Sequence, residues 1–114
     1  MRRIHVAIAV ANIDVSVADY SRRLGAQPSV VVPGAYALWL TPEVNFSIRQ
    51  TEDQPGQLRH LGWEDETAAQ FGQDTDANGI VWERFSRALQ AKEIEDAWPG
   101  STRPGARAAI NDAG

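Results

Sequence analysis

RRIHVAIAVAN, residues 2–12, is rich in Val and Ile, alternates along its length, and carries a histidine near its start, so it reads as a strand. RHLGW, residues 59–63, reads as a strand too, and it sets the chain's second and last histidine in the same local position. Each of these stretches is followed by a segment of helical character. Each half of the chain then ends in an alternating strand, VNFSI at 44–48 and VWERF at 81–85. The two halves therefore form a candidate internal repeat. On the residues alone, His5 and His60 also fit two polar strand residues that meet nothing in particular.

Outward from the first strand, Asp14 can cap a helix, DVSVADYSRRLG, with Val17, Tyr20 and Leu24 on one face and Gly25 as its stop. PSVVV and AYALWL read as the next two strands, separated by the Pro33-Gly34 turn. VNFSIRQ at 44–50 alternates strictly, with Val44, Phe46 and Ile48 on one face and Asn45, Ser47 and Arg49 on the other. Residues 1–50 thus spell βαβββ. TEDQPGQ is a polar linker. After RHLGW, EDETAAQFG at 64–72 reads as a short helix with acidic residues in its first turn, QDTDANG as a loop, and IVWERF as the final strand. SRALQAKEIEDAW at 86–98 reads as a weakly amphipathic helix, and residues 99–114 as a flexible tail.

The 114 residues suit one domain, and no apolar run approaches the roughly 18 residues of a membrane span. There is no cysteine, which excludes disulfides, thiolate nucleophiles and cysteine metal sites. Neither an export signal nor a membrane segment is legible, so the expected compartment is the cytoplasm. Residues 1–85 carry all of the net charge of −4, which argues against nucleic acid as a partner. No Ser-His-Asp set, phosphate loop or nucleotide fingerprint is present.

In the order in which they occur, IHVAIAVANIDVSVADYSRRLGAQPSVV, YALWL, VNFSIRQ, RHLGW and DANGIVWERF resemble the glyoxalase, bleomycin resistance protein and extradiol dioxygenase group, the vicinal oxygen chelate superfamily. Within it the chain looks most similar to cadmium-induced proteins and organoarsenical carbon–arsenic lyases, over residues 3–86. The resemblance implies an α+β fold in which paired βαβββ modules curl around a divalent metal. Position by position, it places metal ligands at His5, His60 and Glu83. Two imidazoles and one carboxylate make a facial triad with open positions for substrate, suited to Fe(II), Mn(II), Ni(II) or Zn(II). Glu83 should then share a face with Val81 and Phe85.

Spacing departs from that pattern. His5 to Ser47 is 42 residues and His60 to Glu83 is 23, a deficit of 19. That equals most of a helix, or about two strands with their turn. The expected architecture is therefore a glyoxalase-like domain at 1–85, with a full module at 1–50 and a shortened βαβ module at 58–85, followed by a C-terminal helix and tail at 86–114. The missing wall implies a homodimer, with exchange of strands as one arrangement. The absent cysteines set aside arsenic or cadmium held by thiolates.

Tyr36, Asn45, Ser47 and Arg49 are candidate contacts to a small-molecule ligand. Trp39 reads as core, Trp63 and Trp82 as packing residues, and Arg49 and Arg84 as either solvated or anion-holding. Glu64–Glu66 could offer a base near His60, or could simply favour a helix N-terminus. The expected function is a metal-dependent lyase, isomerase or dioxygenase. The alternative is a metal-free protein that sequesters a small planar molecule.

Overall fold

A computed structural model of the chain describes residues 2–52 and 54–102. The expected tail at 99–114 lies outside the described residues from position 103 onward. Seven strands form one mixed sheet and two helices pack on it. In chain order these are β1 (Arg2–Val10), α1 (Ile13–Leu24), β2 (Val30–Val32), β3 (Tyr36–Leu40), β4 (Val44–Gln50), β5 (Leu58–Asp65), β6 (Gly72–Thr75), β7 (Val81–Phe85) and α2 (Arg87–Ala97). The sheet order is β2-β3-β4-β1-β5-β7-β6. The first half is the βαβββ unit read from the sequence.

The N-cap of helix α1 lies two residues before the expected one. Asn12, not Asp14, is the N-cap, and its side chain accepts from the Val15 amide at 3.0 Å. Gly25 ends the helix at φ 65°, a left-handed conformation that costs glycine little. Val17, Tyr20 and Leu24 pack with Ile13 on one face of the sheet, over Val10, Ala37, Trp39 and Ile48. Trp39 is fully buried there. The opposite face carries His5, Tyr36, Leu38, Asn45 and Ser47, all buried. Strand alternation makes this division: the branched residues of β1 lie towards α1, and His5, Ala7 and Ala9 lie away from it.

The second half departs from expectation. No helix joins β5 to β7 among the described residues, and β6 lies where a loop was read. The module is βββ rather than βαβ. EDETAAQFG holds turns instead of a helix because Asp65 and Thr67 bind each other locally. The Asp65 carboxylate accepts from the Thr67 amide at 2.9 Å and hydroxyl at 2.8 Å, a side-chain turn that competes with helix. Glu64 is not a free base near His60. It is buried and accepts from Arg3 through two nitrogens, at 2.6 and 3.1 Å.

The helix α2 supplies the cover that the shortened module lacks. Ser86 caps it by accepting from the Leu89 amide, and Ile94 and Trp98 pack over Val30, Tyr36 and Leu38 of the same chain. The apolar face from which a homodimer was expected is thus covered in cis at β2 and β3. Among the described residues, no helix is long and apolar enough to cross a membrane.

Candidate metal centre

Register brings the two histidines together. β1 and β5 pair antiparallel, with His5 opposite Gly62 and Ala7 opposite His60. A local twofold axis between the strands therefore superposes position 5 on 60 and position 7 on 62. The flanking ladders are both parallel: Ala7 lies beside Ser47 of β4, and Gly62 beside Glu83 of β7. Glu83 consequently stands in the second half where Ser47 stands in the first.

His5 Nε2 and His60 Nε2 are 2.9 Å apart, and His60 Nε2 is 3.1 Å from Glu83 Oε1. One donor atom from each of the three side chains lies within 4.8 Å of the others. Two ligands at about 2.1 Å from one ion and at right angles to each other are about 3 Å apart. The two short separations match that figure, so the donor set fits a divalent metal. Glu83 shares its face with Phe85, whose ring meets His5 edge-on at 5.0 Å. Trp82 and Arg84 instead reach Asp76 and Asp65.

Behind the triad is a polar network. His5 Nδ1–H donates to the Asn45 side-chain oxygen at 2.9 Å and to its backbone oxygen at 3.1 Å. A backbone carbonyl only accepts, so the proton sits on Nδ1 and the lone pair of Nε2 points towards His60. Asn45 Nδ2 donates to Glu64 at 2.9 Å and to Gln90 Oε1 at 2.8 Å, while Gln90 Nε2 donates back to Asn45 Oδ1 at 3.1 Å. Asn45 is fully buried and is fixed from three sides. Burial is the main cause that holds the His5 pKa below its ordinary value, and the nearby His60 adds to it. His5 is therefore a neutral imidazole with its free nitrogen at the site.

In front of the triad is a cavity of about 170 Å³. Of the four candidate ligand contacts, Tyr36, Ser47 and Arg49 line it. Asn45 does not line it and supports His5 from behind. Arg84 turns away to Asp65, 3.1 Å distant. Arg59, Gln90, Glu93 and Phe71 also line the cavity and were not read from the sequence. Alternation puts Arg59 on the face opposite His60. A register shift between Ala7 and Ile8 of β1 pairs Ile8 with Leu58, so Arg59 is the extra residue of a bulge and turns inward. Gln90 and Glu93 come from α2, whose weak amphipathicity carried no signal of which face would pack. Burial and the charge of Glu83 hold the Glu93 carboxyl above its usual range, and burial pushes the Tyr36 hydroxyl up to about 12.

No protein-family model matches the sequence, and none of the curated proteins matches it.

Proposed function

We propose that the chain is a metal-dependent enzyme of the glyoxalase or dioxygenase type, a lyase, isomerase or dioxygenase acting on a small molecule, with His5, His60 and Glu83 as ligands. The carrying observation is the convergence of three lone-pair donors within 4.8 Å at the floor of a cavity. Fe(II), Mn(II), Ni(II) and Zn(II) all accept two imidazoles and a carboxylate. When bound, such an ion supplies Lewis-acid polarisation and a template for two adjacent substrate oxygens. The rest is done by the chain. Asn45 holds the His5 tautomer, as outer partners of metal-binding histidines do. Phe71 and Phe85, stacked at 5.8 Å, line the cavity and exclude water on one side, and α2 closes another. Glu93 keeps its proton to a higher pH than a solvated glutamate. The βαβββ unit followed by a pseudo-symmetric strand set supports placement in the vicinal oxygen chelate superfamily.

The test is thermal unfolding with and without Zn(II), Ni(II) or Fe(II). A ligand bound only by the native state raises the melting temperature by mass action, by about 2.7 kcal/mol of stability at a hundredfold excess over Kd. His60→Ala should abolish the rise and keep the fold.

One observation favours the second reading, a metal-free sequestering protein. A single proton between the two Nε2 atoms, or between His60 and Glu83, satisfies the triad by itself. A wild-type melting curve that no metal moves would overturn the first reading and favour the second.

A further inference from the structure

Past the triad, the sheet register continues along β1 between β4 and β5. Ala7 lies between Ser47 and His60, and the next inward residue of β1, Ala9, lies beside Arg49. On the other side of β1, the bulge at Leu58–His60 turns Arg59 into the same cavity. The inward residues of β1 here are alanines, 1% and 6% exposed, so the strand between the two arginines carries only small side chains. Arg49 is held over the Trp98 ring, its guanidinium carbon 5.3 Å from the centroid. Arg59 has no hydrogen-bond or ion-pair partner among the described residues. Two guanidiniums that line one cavity, neither of them hydrogen-bonded to a carboxylate among the described residues, form a cradle for an anion. The carboxylates in the same lining are Glu83, which belongs to the triad, and Glu93, which stands on α2.

We propose that Arg49 and Arg59 together bind the carboxylate of the ligand, which makes the ligand class a small organic acid lying over Ala7 and Ala9 with its other end at the triad. This rests on the reading of the triad as the reacting end of the cavity. Size limits the class. At about 170 Å³ the cavity falls below the roughly 300 Å³ at which drug-sized pockets begin, and a void of about 150 Å³ holds one benzene ring. One step of two residues along a strand is about 7 Å, close to the length of a single ring with its carboxylate. The fitting acids are therefore single-ring or short-chain, and nucleotides and peptides are too large.

The experiment is calorimetric titration of the metal-free full chain with benzoate and with its neutral isostere benzamide, in wild type, Arg59→Gln, Arg49→Gln and His60→Ala. Both arginines are at the exposed rim, so their glutamine variants should fold, as circular dichroism would verify. Benzoate should bind and benzamide should bind at least about tenfold more weakly, the size of one charge-assisted hydrogen-bond loss. Arg59→Gln and Arg49→Gln should each remove that preference, and His60→Ala should retain it. Equal binding of benzoate and benzamide, no binding of either by wild type, or unchanged selectivity in both arginine variants would overturn the proposal. Zn(II) titration of the same proteins reports the triad separately. Loss of Zn(II) binding in His60→Ala alone supports the ligand set, whereas wild type that ignores Zn(II) yet selects benzoate overturns the metal and leaves the acid site standing.

Discussion

Asn45 is the residue on which the chemistry of His5 depends. It sets the proton on Nδ1 and is itself tied to Glu64 and Gln90. Asn45→Ala should lower Zn(II) affinity by about 10–100-fold, the usual effect of removing an outer partner of a metal ligand. A Zn(II) competition titration against a chelating dye would measure it. His5 also imposes a pH dependence on the metal-free protein. Its folded pKa lies below the unfolded value of 6.5, so between the two the unfolded chain binds more protons. Stability is then complete above about 6.5 and declines as pH falls through that value. Melting temperatures of wild type should drop between about pH 7 and 5.5 more steeply than those of His5→Asn.

Gly62 decides how closely β5 and β7 approach. A Cβ at this position would stand 2.5 Å from the backbone oxygen of Glu83, its partner in the parallel ladder. Backbone cannot rotate away as a side chain can. Gly62→Ala should push β7 outward, cost about 1–3 kcal/mol as an overpacked site does, and move the Glu83 carboxylate off the two imidazoles. The expected readings are a lower melting temperature and weaker Zn(II) binding, the latter larger than in Ala68→Gly, a control outside the triad. Unchanged Zn(II) binding in Gly62→Ala would show that the separation of β5 and β7 does not position the carboxylate.

For the whole molecule, α2 is the element that gives an open sheet the second wall of its cavity. Ile94 is 5% exposed and packs against Val30, Tyr36 and Leu38, and Trp98 stacks on Tyr36 at 5.0 Å. Ile94→Ala should cost about 2–5 kcal/mol, as buried isoleucine truncations do, measured by urea unfolding. Ile94→Asp should uncover the inner face, and light scattering should then show association above the 12.5 kDa of the chain. A homodimer of wild type, strand-exchanged or not, has to use another surface, such as the edge of β6, whose four residues are all exposed.

Short-range rules carried much of this into the sequence. Apolar runs bounded by turns placed six of the strands, and period-two alternation put Asn45, Ser47 and Arg49 on one face, because the pleat leaves a side chain only two directions. Gly25 marked the end of α1 through its left-handed conformation. The placement of His5, His60 and Glu83 at one site came from the resemblance in segment order, and the face of Glu83 followed from the alternation of VWERF. The remainder depended on contacts between distant residues. The 19-residue deficit announced a lost element but not which one, since helix and strand pair are of similar length. A local Asp65–Thr67 turn removed the helix. Arg59 entered the cavity through a bulge that only pairing with β1 creates, and Gln90 and Glu93 entered on a helix whose packing face was chosen by the sheet beneath it. The sequence by itself determined six of the seven strands, α1 and the spacing of the candidate ligands, because those follow from local geometry. The tertiary structure alone decided what closes the cavity and which charges line it, because both depend on where residues far apart in the chain come to rest.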